Sequence, residues 1–151
     1  MNLKQYQSKI KFKTEEGHKK LWDIVRKKWI YVTPEEVVRQ CALHYIIEDK
    51  NYSKHLIAVE KTITYYKVKK RFDIVVFDKK LEPLILVECK SPEVSLDQKS
   101  LYQIQTYDHI VNGHHLWLTN GHQNIILAKS DIDENIISLS DIPAKQEVKE
   151  E

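Results

Sequence analysis

The chain has 151 residues, 42% of them apolar and 30% charged, which suits one globular domain and not a disordered coil. Three glycines cannot build a GxGxxG or Walker A loop, two cysteines cannot build a CxxC zinc knuckle, and no apolar run approaches the roughly 18 residues of a membrane span. Net charge is +2, but residues 1–30 carry nine Lys/Arg against three Asp/Glu and residues 130–151 carry two against seven. A basic start can favour nucleic acid, although on charge alone a solvated surface is the preferred reading.

The N-terminus, MNLKQYQSKIKFK, has no apolar h-region, so no secretory signal is expected. A cytoplasmic protein with reduced cysteines follows. Residues 1–20 are lysine-rich and read as a basic arm. Leu21–Val25 suits a short strand or a helical turn. Thr33-Pro34-Glu35-Glu36 predicts a helix start, with Thr at the cap, Pro at the first helical position and Glu three residues after the cap. Val38, Cys41, Ala42, Tyr45 and Ile46 then recur at helical spacing. Three strands are predicted next, over Leu56–Val68, Arg71–Asp78 and Leu84–Lys90, with a hairpin loop at 79–83. Asp97–Val111 reads as a second helix. His115–Thr119 and Asn124–Ala128 read as two more strands around Asn120-Gly121, and the acidic residues 131–151 as a partly disordered tail. Helix, meander, helix and further strands imply a mixed sheet covered by helices.

The residues that attract chemistry are Asp73, Glu88 and Lys90. Strand side chains alternate faces, so Glu88 and Lys90 share one face of LVECKS, with Val87 and Cys89 on the other. Folding the hairpin sets Asp73 opposite Glu88 within one ladder step, and three charges are expected to converge on one patch. Charge inside an apolar strand is unfavourable unless paired or metal-bound. Two adjacent carboxylates repel, and a divalent metal relieves that repulsion. Lys90 is then placed to position an attacking water and to offset phosphate charge. The plain alternative is a salt bridge from Lys90 to Glu88 or Asp73 on a solvated face.

Asp73 followed by Glu88-Cys89-Lys90 resembles the D-(x)n-(D/E)-x-K signature of PD-(D/E)xK nucleases. LWDIVRKKWIYVTPEEVVRQ, LIAVEKTI, KRFDIVVFD, LILVECKSPEV, a Q-x-x-x-Y and LTNG, in that order, resemble the N-terminal domain of type I restriction enzyme R proteins. The resemblance covers about residues 20–128. It implies an α/β fold, a three-layer α/β/α restriction-endonuclease-like core with a mixed central sheet. It also implies DNA cleavage dependent on Mg²⁺, with Mn²⁺ substituting. The family's Asp, Glu and Lys carry over to Asp73, Glu88 and Lys90, and the Cys89 carbonyl joins Asp73 and Glu88 as a metal ligand. The helix acid maps to Glu35 or Glu36. Glu35 is preferred, since it precedes Arg39 by four residues on the side expected to be buried, whereas Glu36 already has the capping-box role. Gln103 maps beside the metal and Tyr107 next to it or near DNA. Arg39, Lys70 and Arg71 are candidate phosphate contacts. The R proteins carry a motor after this domain. Here no motor or nucleotide site is expected, so a specificity or motor subunit, or a second copy, is the expected partner. The alternative reading is a nuclease-fold module that binds DNA or protein without cutting.

Overall fold

The computed structural model describes residues 1–65, 67–97, 114–133 and 135–148. Residues 1–20 form no free arm. Leu3–Lys9 make a 3-10 turn with Leu3 and Tyr6 buried. It is pinned by the Leu3 N–H donating to Gly121 O at 2.7 Å and by the ion pair of Lys9 with Glu48. Strands β1 (Phe12–Glu15), β2 (His18–Asp23) and β3 (Lys28–Tyr31) follow as a three-stranded antiparallel sheet. Glu16 and Gly17, both at positive φ (51° and 76°), make the first tight turn.

Helix α1 spans Pro34–Glu48 and starts as its sequence predicts. The Glu36 N–H donates to Thr33 Oγ1 at 3.1 Å, and Pro34 opens the first turn, where its missing N–H is harmless. The main sheet follows: β4 (Ile57–Tyr65), β5 (Val68–Phe77), β6 (Pro83–Cys89), β7 (His115–Thr119), β8 (Asn124–Lys129) and β9 (Ile136–Leu139). They lie side by side in that order. All pairings are antiparallel except β6 with β7, which run parallel. The predicted meander and mixed sheet are therefore present, in an α/β architecture. Between β5 and β6, Asp78 Oδ1 accepts from the Lys80 and Glu82 N–H groups and closes the hairpin.

One face of this sheet packs under α1. Val38, Cys41, Ala42, Tyr45 and Ile46 meet Ile74, Val76, Ile85, Val87, Trp117 and Ile126. Each fully buried Ile or Leu there stabilises the fold by about 1.5–3 kcal/mol. The opposite face carries Phe72, Val75, Leu86, Leu116, Leu118 and Leu127. The second predicted helix lies, beyond Asp97, outside the described residues, and α1 is the α-helix among those described. The expected tail also has structure. β9 pairs with β8, Ile142 and Ala144 are buried, and Asp141 accepts from the Tyr45 hydroxyl at 2.7 Å. Among the described residues no helix is long and apolar enough to cross a membrane.

Candidate active site

Ile74 pairs with Val87 and Val75 with Leu86. Continuing that register sets Asp73 level with Glu88, as the hairpin arithmetic predicts. Their side chains nevertheless part. Glu88 is level with Leu118 of β7 and shares the face of Leu86. Asp73 turns to α1 instead. The cause is a break in alternation: Ile74 and Val76 pack under α1, yet Phe72 and Val75 both pack on the far face. Facing this break is Glu60, which drops out of the β4–β5 ladder between Val59–Ile74 and Lys61–Phe72. Its φ is +55°, a conformation that disfavours a residue with a Cβ by about 1–3 kcal/mol.

The charges around Glu60 hold that backbone. Arg39, only 4% exposed, points Nη2 at Asp73 Oδ1 (3.3 Å) and Nη1 at Glu36 Oε1 (3.0 Å) and Glu60 Oε1 (3.5 Å). Arg26 pairs through Nε with Asp23 Oδ2 at 2.6 Å and through Nη1 with Glu60 Oε2 at 3.1 Å. Asp23 is fully buried, and its Oδ1 accepts from the Val25 and Arg26 N–H groups. Burial pushes the Glu36 carboxyl up, against the opposing pull of Arg39 and Arg26. Burial pulls Arg39 down, but Glu36 and Asp73 more than offset it and keep the guanidinium charged. Asp73 has both oxygens engaged, since the Cys89 N–H donates to Oδ2 at 2.7 Å.

Among the described residues Glu88 pairs with Lys70, whose Nζ is 2.8 Å from Oε1. That contact lacks hydrogen-bond geometry, and Glu88 Oε1 and Glu36 Oε2 are both buried without a hydrogen-bond partner. Among the described residues, Asp23, Glu36, Glu60 and Asp73 thus share Arg26 and Arg39, while Glu88 pairs separately with Lys70. Lys90 donates its backbone N–H to Thr119 O at 2.8 Å. Its ammonium makes no hydrogen bond or ion pair among the described residues. Cys89 points under α1 and is 1% exposed, with its thiol pushed well up by burial.

The family described as type I restriction enzyme R protein N terminus matches residues 34–143, most of the chain. The chain belongs to this family. The match begins at the first residue of α1 and takes in every strand of the main sheet, while β1–β3 lie outside it. A search of curated proteins finds no match.

Within this R protein N-terminal domain, Asp73, Glu88 and Lys90 come from neighbouring strand ends but do not converge on one patch. Among the described residues no three His, Cys, Asp or Glu side chains gather as a metal-holding group. The donors are still of the kind a hard cation takes, and Mg²⁺ needs only one or two carboxylates. Asp73 and Glu88 each already meet a protein cation, and a shared ion would take the place of those contacts. Glu35, expected on the buried side, is exposed; Glu36 lies inside the ion network instead. One residue is 100° of helix turn, enough to exchange the two faces. Arg39 also departs from expectation, since a buried guanidinium committed to three carboxylates is not available to phosphate. Lys70 is committed to Glu88, whereas Arg71 is exposed. Gln103 and Tyr107 lie outside the described residues. Asp23, Arg26 and Glu60 were not singled out by sequence. Glu60 carried a readable signal, being a charge inside the strand run IAVEKTI, the same sign that marked Asp73 and Glu88.

Proposed function

We propose that this domain is a Mg²⁺-dependent DNA endonuclease that hydrolyses phosphodiester bonds with Asp73, Glu88 and Lys90. One observation carries the reading: Asp73 and Glu88 stand level on adjacent strands, with Lys90 two residues beyond Glu88, in a member of the R protein N-terminal family. Asp73, Glu88 and the Cys89 carbonyl would hold Mg²⁺ or Mn²⁺. When bound, the ion neutralises phosphate charge and makes water a stronger nucleophile. The protein's own groups do the rest. The Cys89 N–H and Arg39 orient the Asp73 carboxylate. Lys90 brings its ammonium to a phosphate oxygen and offsets charge in the transition state. Glu36 takes the place of the helix acid, and Arg71 contacts backbone phosphate outside the site. Gln103 is assigned beside the metal and Tyr107 next to it or near DNA. The working partners are DNA and a specificity or motor subunit, or a second copy, in the cytoplasm.

A non-cleaving binding module is the competing reading, favoured by one observation. Asp73 and Glu88 are each already matched by a protein cation. Supercoiled plasmid incubated with the protein in Mg²⁺, Mn²⁺ or EDTA separates the two. Nicking or linearisation with either metal, abolished by EDTA and by Lys90→Ala, supports the nuclease. Intact plasmid in every lane hands the domain to the binding reading.

A further inference from the structure

We infer that the outer face of the β1–β3 sheet is a binding platform for single-stranded DNA, separate from the cleavage site. Leu21 and Ile30 pair across β2 and β3 and face inward. Register then places Lys13, Lys20 and Tyr31 in one outward row and Trp22 with Trp29 in the next. The outward side of a surface sheet ordinarily carries polar residues. Here it carries two of the chain's three tryptophans, as an edge-to-face pair with centroids 5.4 Å apart. Tyr31 is 61% exposed, and His18 meets it edge-on at 5.5 Å.

Charge complementarity identifies the occupant. Lys13 Nζ lies 4.5 Å from the Trp29 ring centre and Lys20 Nζ 5.4 Å from that of Tyr31. Each of these rings therefore has an ammonium over it, which a stacking base would displace toward the phosphate backbone. Glu15 bridges the two lysines, but it is exposed and the segment around it is strongly basic. A protein partner is the poorer match, because interface cores are depleted in lysine. Duplex DNA is also poorer, because its bases are already stacked on one another. Unpaired bases offer open π-faces to the rings while the backbone meets the lysines, the arrangement that single-strand binders use. The inference is independent of the nuclease reading, since this sheet lies outside the family match and its outward residues Lys13, Lys20, Trp22, Trp29 and Tyr31 take no part in the carboxylate cluster, which Asp23 at the end of β2 joins from the inward side.

The test is titration of the full chain with a dT oligomer, read by tryptophan fluorescence. Trp117 is 1% exposed, so quenching reports Trp22 and Trp29. Saturable quenching is expected. Tyr31→Ala should weaken binding about tenfold, the scale of one lost base stack. Lys20→Ala should reduce the slope of log K against log salt by about 0.7, the value for one phosphate contact on a single strand. Asp73→Ala should bind dT like wild type. An abasic oligomer of equal length should quench weakly. Absence of quenching by dT, equal affinity for the abasic strand, or wild-type binding by Tyr31→Ala with native circular dichroism would each overturn the platform.

Discussion

Arg39→Met is the substitution that tests the charged cluster most directly. Methionine keeps much of the arginine stem's bulk and removes the charge. Three carboxylates then lose their common cation, and Glu36 keeps only Arg26, at 3.7 Å. Removing one member of a buried ion pair destabilises proteins by about 3–5 kcal/mol. Here the carboxylates are 17%, 23% and 38% exposed, so water shares the burden and the low end applies, about 3 kcal/mol. For a domain of this size that lowers Tm by roughly 6–12 °C. The pH dependence carries its own sign. A carboxyl raised by burial favours the fold fully when protonated, below its ordinary value of 4.5, and that contribution is lost as pH rises through the raised folded value. Arg39 opposes the rise, so the Met variant raises Glu36 further. Its deficit should be largest at pH 7–8 and shrink as pH falls toward 4.5. Urea melts of both proteins across that range measure it. A deficit under about 1 kcal/mol at pH 8, or one that grows on acidification, would refute this account of the cluster.

Other outcomes follow from single contacts. Lys90→Ala should cut plasmid at least about a hundredfold more slowly than wild type while still shifting DNA on a gel, because it removes one electrostatic group from the transition state. Saturating Mg²⁺ should raise Tm by mass action, about 2.7 kcal/mol of stabilisation at a hundred times Kd, and calorimetry on Asp73→Ala should show that binding lost. Tyr45→Phe removes the hydroxyl that donates to both Asp141 oxygens at 2.7 Å. About 1–2 kcal/mol of stability should go with it, read as a lower urea midpoint. Burial lifts the Cys41 thiol to about 11 and Cys89 well up. Neither should react with a disulfide reagent at pH 8 until denaturant is added.

How far the sequence could be read depended on how local each signal was. Helix α1 is announced by Thr33, Pro34 and its own apolar period, all within the element. The meander of β4, β5 and β6 is equally local, and so is the level placement of Asp73 and Glu88. The direction of Asp73 was not readable. Period-2 alternation assumes a regular strand, and the break opposite Glu60 is held by Arg26 and Arg39, which arrive from other elements. The β1–β3 sheet was hidden by its lysines. Their ammonium groups lie over the rings of Trp29, Phe12 and Tyr31, so a face rich in aromatic surface reads as charge. The segment after β8 read as tail because its anchors are distant, Asp141 finding its hydrogen bond at Tyr45.

The single parallel pairing has a kinetic consequence. β4, β5 and β6 pair through short hairpins, and β7 with β8 through another, so each set can form from neighbours in the chain. Joining β6 to β7 requires bringing together two strands whose ends, Cys89 and His115, are far apart in the chain before any of their contacts are made. Closure over that separation opposes folding before pairing rewards it, and non-local pairing slows the search. The zipping of β6 against β7 should therefore be the late step. Substitutions at Ile74 or Ile85 should mainly slow refolding, while losses of contact across the β6–β7 seam, such as Val87 with Trp117, should mainly speed unfolding.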